Sequence, residues 1–366
     1  MTGGDGALRP GRIDQALPSF SYGDAIGNDA LALRDILRRG GVASEIFAAT
    51  AHPRVRAEAR PLREYAAHDD GRNVCILHFS IGTGMARVFS RLRSRRVLIY
   101  HNITPPEFAR GVSRRLEREC RSGREQLREL AAGTDFAIAD SEYNRGELEE
   151  LGFGRTAVLP VVVDLSAHDR TPEDPSLAQR WRDGRTNVLH VGRLVPNKRV
   201  EDVVRCFDLY RRIDPASRLL LVGNDTGVPA YTEALHAFVA RLGTPEVHIL
   251  GHLDFSGLCT CYRVADLYLS MSEHEGFCVP LLEAMHFRVP IVAFAGGAVP
   301  ETLGAAGLLV REKRFAEVAE LMRRAVADAG LRERLVAAGT ARLRNFDPAR
   351  IEGDLWTLLR GQGLWG

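Results

Sequence analysis

An α/β chain wound on parallel sheets is predicted from three observations. Short β-branched runs alternate with longer helical patterns along the chain. Several of those runs are continuously apolar, as expected of strands covered on both faces by helices. The length of 366 residues makes two domains the default, at roughly 100–200 residues each. With 45% hydrophobic and 26% charged residues the chain reads as globular, which excludes a disordered or collagen-like protein. The net charge, 49 − 47 = +2, is too balanced for a dedicated nucleic-acid binder, so no nucleic-acid partner is expected.

In chain order, the first half offers candidate strands at residues 74–79, 97–100, 136–139 and 157–163. The second half offers 187–191, 218–222, 247–250, 267–270, 290–294 and 307–310. Helical periodicity fills residues 29–39, 114–130, 200–212, 231–242 and 314–328. A boundary is expected at 166–185, SAHDRTPEDPSLAQRWRDGR, which is polar, contains proline and lacks apolar periodicity. The predicted organisation is an N-terminal domain over 1–165, a linker over 166–185 and a C-terminal domain over 186–345. A helical tail over 346–366, carrying Trp356, Leu358 and Leu359, is expected to pack back toward the N-terminal domain. Two facing Rossmann-like domains would place a ligand in a deep cleft between them, at the C-terminal ends of strands.

Only Lys198 and Lys313 are lysines, so 47 of the 49 basic residues are arginine. A GC-rich genome accounts for such a bias, yet it makes each retained lysine worth following. The six cysteines contain no Cys-x-x-Cys pair, and Cys259-x-Cys261 is too tight for usual zinc spacing, so free buried thiols are expected. The opening MTGGDGALRPGRIDQ has no apolar leader-like stretch, and no apolar run approaches ~18 residues. A reduced, cytoplasmic compartment is the expectation. Between Arg87 and Arg128 there are 12 Arg against 4 Glu. Such a segment suits either contact with an anionic membrane surface or a merely solvated, arginine-rich helical face.

The strongest local signal is Ser272-Glu273-His274-Glu275-Gly276-Phe277-Cys278-Val279-Pro280-Leu281-Leu282-Glu283. It follows a strand and leads into a helix, with Pro280 suited to the first turn. Amides of Val279, Leu281 and Leu282 at that helix start would favour an anion. Glu275 and Glu283 stand eight residues apart, and beside an anion site they read as hydroxyl acceptors, for instance for a ribose diol. The same spacing also fits two solvated glutamates flanking a helix cap. A second constellation is His190-Val191-Gly192-Arg193-Leu194-Val195-Pro196-Asn197-Lys198. Gly192 lets the chain turn after a buried strand, and Arg193 with Lys198 puts a guanidinium and a compact ammonium on one loop, a pair suited to a pyrophosphate. His101 follows a strand, where a hydrogen-bonded structural histidine is equally common. Ser141 and Asn144 read as a helix cap and first-turn residue. The loop His78-Phe79-Ser80-Ile81-Gly82-Thr83-Gly84 is a weak candidate for the acceptor side.

Together, Gly192-Arg193 with Lys198, and Glu275-x7-Glu283, resemble the retaining GT-B glycosyltransferases of family 4, the glycosyl transferases group 1. The resemblance runs from about residue 187 to 310 and takes in Leu221-Val222-Gly223, Gly251 and Gly296-Gly297-Ala298-Val299-Pro300-Glu301-Thr302. In the N-terminal half, Ser21-Tyr22-Gly23-Asp24-Ala25-Ile26-Gly27-Asn28 resembles their first glycine-rich loop. Tyr100-His101-Asn102-Ile103-Thr104-Pro105 and Ala139-Asp140-Ser141-Glu142-Tyr143-Asn144 also look like this group. Two departures stand out: Cys278 where glycine is common, and Asn224-Asp225 in place of a glycine pair.

The resemblance implies a hexosyltransferase that moves sugar from a nucleotide-diphospho-sugar (GDP- or UDP-sugar) to a hydroxyl of a glycan or lipid-linked acceptor. Configuration would be retained and polysaccharide or glycoconjugate would be the product. Arg193 and Lys198 would bind the diphosphate and Glu283 the ribose. Glu275, with Gly276, Phe277 and Cys278, would lie at the donor sugar. Amides near Val279, Pro280 and Leu281 would hold phosphate, and Leu250 and Gly251 would meet the base. Gly192, Gly23 and Gly27 would admit the diphosphate, and His101 would contact the donor sugar or the reacting hydroxyl. Cations and helix amides would answer the leaving-group charge, so no cofactor and no metal are expected. The cytoplasm, with peripheral attachment to the inner face of the membrane, is the implied location. A pyridoxal-phosphate phosphorylase would need a Schiff-base lysine, whereas Lys198 sits in the phosphate loop and Lys313 in an expected surface helix. A non-catalytic sugar-binding protein would be exported, and a nicotinamide dehydrogenase would need a Gly-x-Gly-x-x-Gly turn.

Overall fold

The structure, a computed structural model, describes residues 11–21, 23–225 and 227–365. The chain divides into two compact units. The first comprises residues 1–103, 119–163 and 346–366, and the second 104–118 and 164–345.

In the first unit, seven strands form one parallel sheet: β1 Ile13–Phe20, β2 Ile46–Ala51, β3 Arg60–Pro61, β4 Val74–Phe79, β5 Arg95–Tyr100, β6 Phe136–Ala139 and β7 Thr156–Val158. Their order is β3-β2-β1-β4-β5-β6-β7, so the winding direction reverses between β1 and β4. β4 and β6 are buried along their whole length, which is why they read as unbroken apolar runs. Strands β1 and β2 escape sequence reading. β1 reads IDQALPSF, and its inward positions include Asp14 and Gln15, both fully buried. Its Pro18 lies beyond the pairing with β4, which ends at Ala16↔Leu77, so one ladder loses no donor there. β7 is shorter than its apolar run, because 159–163 leave the sheet.

The tail residues 346–366 belong to this first unit. The helix Pro348–Gly361 buries Ile351, Leu355 and Leu359 in one cluster with Val74, Ile76, Val97 and Ile99. Trp356 packs so closely on Gly40 that a Cβ there would lie 2.1 Å from the indole.

In the second unit, six strands form a parallel sheet: β8 Thr186–Val191, β9 Ser217–Val222, β10 Val247–Gly251, β11 Leu267–Ser270, β12 Ile291–Phe294 and β13 Leu308–Val310. The order is β10-β9-β8-β11-β12-β13, with its reversal between β8 and β11. The helices Val200–Ile213 and Phe315–Ala327 pack on this sheet through Val203, Phe207, Val318 and Met322. Both units therefore have the Rossmann-like pattern of a parallel sheet that reverses once.

Residues 166–185, expected as a linker, instead fold into the second unit as the helices Ser166–Arg170 and Pro175–Trp181. Asp174 caps the second helix by accepting from the Ser176 and Leu177 amides, Pro175 takes its first turn, and Trp181 is buried. A seven-residue helix with one buried aromatic leaves little apolar periodicity to read. Residues 104–118, expected in the N-terminal domain, also join the second unit.

A close backbone crossing marks the first unit. Gly82, after β4, donates its amide to the Glu119 carbonyl of the helix Arg114–Leu130. A Cβ on Gly82 would lie 2.4 Å from the Gly123 nitrogen, so this loop needs glycine for its contact with the helix. The Gly82→Ala variant is expected to lose about 1–3 kcal/mol of stability, read as a lowered thermal midpoint; an unchanged midpoint would show that the crossing tolerates a methyl group.

Candidate active site

The second unit gathers its functional side chains where its sheet reverses, at the C-terminal ends of β8 and β11. The loop after β8 carries Gly192, Arg193 and Lys198, and the loop after β11 carries residues 272–278. The two loops are stitched together: Glu273 donates its amide to the Asn197 carbonyl (2.9 Å), and Asn197 Nδ2 donates to the His274 carbonyl (3.0 Å). Lys198 Nζ then meets both oxygens of Glu275, at 2.6 and 2.7 Å, with both side chains largely buried. The Glu275 charge raises the Lys198 pKa against the opposing effect of its burial, and Arg193 lies near enough to work against that rise. One loop thus presents a cation already matched to a carboxylate.

A second lysine pins the same loop. Lys313 was expected in a surface helix, but it precedes the helix Phe315–Ala327 and reaches Glu273 and Asp202, each at 2.7 Å. Arg199 also donates to Glu273, at 2.7 Å. From the far side, the glycine pair after β12 lies against the loop backbone. A Cβ on Gly296 would sit 2.2 Å from the Ser272 carbonyl oxygen, and one on Gly297 2.3 Å from that of Glu275. Ala298 donates its amide to the Glu275 carbonyl, and Thr302 its hydroxyl to that of Phe277. Cys278 adopts φ +75°, a left-handed conformation that favours glycine, so it carries backbone strain as well as narrowing the loop.

The helix Val279–His286 begins at this point. Val279, Pro280 and Leu281 stand in its first turn as expected, but the Leu281 amide donates to the Cys278 carbonyl and is not open to an anion. Glu283 is buried in the same helix. Its carboxylate accepts from the Tyr262 hydroxyl at 2.7 Å and lies 3.3 Å from His168 Nε2, so its orientation is set before any ligand arrives. Leu250 and Gly251 end β10, and the Gly251 carbonyl accepts the Gly223 amide. Glycines 192, 223 and 251 thus end three neighbouring strands, which brings bare backbone to that edge of the site.

His190, in β8, went unassigned at sequence level because a histidine inside an apolar run resembles core. Its Nδ1 lies 2.9 Å from the Leu269 carbonyl, which fixes that nitrogen as the donor and leaves Nε2 as a buried acceptor without a hydrogen-bond partner. Burial pushes its pKa down to about 4.

In the first unit, the expected residues are Gly23, Gly27 and His101. Gly23 takes φ +72°, as a turn glycine should, and Gly27 lies buried in the helix Ala25–Arg39. Tyr22 of the same motif lies outside the described residues. His101 contacts Asp140, with Nδ1 3.0 Å from Oδ2, and His78, with Nε2 2.8 Å from His78 Nδ1. His78 Nε2 in turn lies 2.8 Å from Gln15 Oε1. Gln15 and Asp140 were not singled out as site residues, since nothing in their spacing marks them. Ser141 caps its helix by accepting from the Asn144 amide. Among the described residues, Asp29, His78 and His101 are the one set of metal-type donors close together, within 4.8 Å. All four imidazole nitrogens there are already engaged in hydrogen bonds, so the set does not present an open coordination shell.

Two parallel-sheet units, the second with a cation-carrying loop at its reversal point, define the GT-B class of architecture. Solved structures support this at the level of fold. Anabaena HepE in complex with UDP-glucose aligns with a TM-score of 0.73 at 20% identity, covering 95% of this chain and 99% of that one. WaaG, a glycosyltransferase of lipopolysaccharide biosynthesis, aligns at 0.69 and 14% identity, covering 94% and 98%. Residues 176–342, which lie within the second unit, match the family Glycosyl transferases group 1. D-inositol 3-phosphate glycosyltransferase of Actinosynnema mirum is 31% identical over 62% of this chain and 57% of its own length. A GDP-mannose-dependent phosphatidylinositol monomannoside mannosyltransferase of Mycobacterium tuberculosis is 29% identical over 60% and 58%. The chain thus spans less than two thirds of these relatives. O-antigen chain mannosyltransferase B of Escherichia coli is 25% identical over 91% and 84%.

Two measurements test the electrostatics. Glu275→Gln leaves a buried ammonium without its counter-charge and is expected to cost about 3–5 kcal/mol, whereas the double variant Lys198→Met with Glu275→Leu recovers most of it; additive losses in denaturation would contradict a coupled pair. The second concerns pH. His190 is neutral when folded, and its folded pKa lies below the unfolded value near 6.5, so its contribution is full above 6.5 and lost as pH falls toward 4. Between those limits His190→Gln is expected to lose about 3 kcal/mol less stability than the parent; parallel curves would show that the ring is not held neutral.

Proposed function

We propose that the protein transfers a hexosyl group from a nucleotide-diphospho-sugar to a hydroxyl of a glycan or lipid-linked acceptor, with retention of configuration, in glycoconjugate or polysaccharide synthesis. The observation that carries this reading is the Lys198–Glu275 pair at the sheet reversal of a group 1 domain. As the donor C1–O bond breaks, negative charge grows on the departing diphosphate. Lys198 and Arg193 answer that charge where it develops, without help from a metal or cofactor. Glu275, already beside the ammonium, lies at the donor sugar with the backbone of Gly276, Phe277 and Cys278. The diphosphate also meets the backbone at Gly192, the helix start at Val279 and Pro280, and the glycines Gly23 and Gly27, whereas the Leu281 amide stays with the Cys278 carbonyl. Glu283 takes the ribose hydroxyls, and Leu250 and Gly251 meet the base. His101 serves the donor sugar or the reacting hydroxyl.

The relatives support a sugar-nucleotide donor in two forms: those named as mannosyltransferases include GDP-mannose-dependent enzymes, and HepE is solved with UDP-glucose. The acceptor falls to the N-terminal unit. A place in the cytoplasm at the inner membrane face is supported by the helix Arg114–Leu130, which exposes Arg114, Arg115, Arg118, Arg121 and Arg128. No helix among the described residues is long and apolar enough to cross a membrane.

Thermal shift with UDP, GDP and ADP, then with their sugars, identifies the donor; stabilisation by none of them would defeat the reading. Lys198→Arg keeps the charge that Glu275 requires but not the compact ammonium, and is expected to lower turnover about 100-fold with the fold retained. Glu283→Ala is expected to weaken donor binding about 10-fold or more by titration calorimetry. Transfer should survive chelation of divalent metals, and a complete loss restored by metal would contradict the cation-based account.

A further inference from the structure

One continuous chain of hydrogen bonds runs from Gln15, the third residue of β1, to the C-terminal ends of β4, β5 and β6. Gln15 Nε2 donates to the Ala30 carbonyl (2.9 Å). Gln15 Oε1 faces His78 Nε2 (2.8 Å), His78 Nδ1 faces His101 Nε2 (2.8 Å), and His101 Nδ1 faces Asp140 Oδ2 (3.0 Å). All four side chains are buried, with those of His101 and Asp140 only 3% and 5% exposed. The two imidazoles are parallel within 6° and their centres lie 5.1 Å apart. That distance is about the N···N separation plus two ring radii, so the nitrogens meet edge to edge.

The two ends of this chain determine its protons. A backbone carbonyl only accepts, so the Gln15 amide must turn its NH2 to Ala30 and its oxygen to His78. That oxygen accepts a proton from His78 Nε2. At the other end the Asp140 carboxylate accepts one from His101 Nδ1. The N···N bond between the rings needs a third proton, but two neutral imidazoles carry only two. A neutral pair would therefore set two lone pairs against each other at 2.8 Å. Imidazole is a stronger base than carboxylate, so the extra proton rides on the rings and not on Asp140.

We propose that Gln15 and His78 are positioning residues that hold His101 as an imidazolium, so that His101 enters the reaction as a fixed positive charge and not as the base that deprotonates the acceptor hydroxyl. This rests on the function proposed above. The charge settles on His101 because it alone of the two rings is hydrogen-bonded to a carboxylate, Asp140, while Asp29 lies within 4.8 Å of both rings. Asp140 bonds to it, and Asp29 and Asp24 raise its pKa through space, against the effect of burial. His78 has no carboxylate partner in the network, and burial followed by the neighbouring His101 charge lowers its pKa well below the ordinary value. Asp29, from the helix Ala25–Arg39, is itself pushed up to about 7 by burial, so its own charge grows across neutral pH. With its two N–H groups given to Asp140 and His78, such an imidazolium acts on developing negative charge through space, and it cannot take the hydroxyl proton.

Nitrogen-15 NMR of the histidine rings in the unliganded protein tests the charge without any assay of transfer. At pH 7 both His101 nitrogens are expected in the protonated range, and His78 is expected with Nε2 protonated and Nδ1 bare. A bare His101 nitrogen at pH 7 would overturn the proposal. The second arm reads turnover against pH. In Gln15→Leu nothing fixes the His78 tautomer, so its Nδ1–H can bond to a neutral His101. The alkaline limb should move down by about one pH unit, with the thermal midpoint kept. An equal loss at every pH would show a structural role only and overturn the proposal. If no nucleotide-sugar is turned over at all, the functional reading fails, while the ring titration still decides the charge.

Discussion

The ion pair between Lys198 and Glu275 is the contact on which the rest of the second unit's site depends. Its partners come from the two loops that leave the sheet where its winding reverses, and those loops are the ones a parallel sheet leaves open at its carboxyl ends. A buried ammonium is unfavourable unless paired, and a buried carboxylate likewise, so each loop can bring its charge inward only because the other does. The remaining contacts hold the loops at the spacing this requires. Asn197 joins their backbones, Lys313 and Arg199 hold Glu273, and the Gly296-Gly297 pair gives the β11 loop a flat backbone surface to lie on.

The first unit meets the same constraint with protons in place of a lysine. Its sheet also reverses once, between β1 and β4, and those two strands supply Gln15 and His78. A polar residue inside a central strand is costly unless every donor and acceptor is matched. Matching Gln15, two histidines and Asp140 in one line fixes the number of protons they hold. Each sheet therefore carries a buried basic group with a carboxylate beside it: Lys198 with Glu275 at the reversal of the second, and His101 with Asp140 after β5 and β6 of the first.

Legibility followed the physics of each segment. Strands β4, β6, β9 and β11 were visible because burial on both faces leaves unbroken apolar runs. β1 was not, since the residues that give it a chemical role, Asp14 and Gln15, break the pattern. The helix Arg114–Leu130 was readable to the residue, but Pro175–Trp181 was hidden because one tryptophan supplies most of its buried face. At the site, Lys198, Glu275 and Glu283 stood out through spacing and charge. The groups around them did not: Tyr262 and His168, which hold Glu283, and Lys313, which holds Glu273, lie far off in sequence, and only the fold brings them together. Lys313 illustrates the difficulty, since a lysine among Arg311, Glu312 and Arg314 reads as surface until Asp202 and Glu273 are found around it.

The scarcity of lysine acquires a physical meaning from these contacts. Glu273 and Glu275 stand two residues apart on one loop, and each takes one of the chain's two lysines. At Lys198 both carboxylate oxygens converge on a single nitrogen in a confined space, a geometry that suits a compact ammonium better than a planar guanidinium fork. Such a pair also keeps a cation dry at a modest desolvation penalty until an anion competes for it. A diphosphate arriving at Lys198 would exchange one set of anionic oxygens for another around the same nitrogen, with little new charge to bury. The arginine bias of the chain is thus compositional over most of its length, and its exception falls where the size of the cation matters.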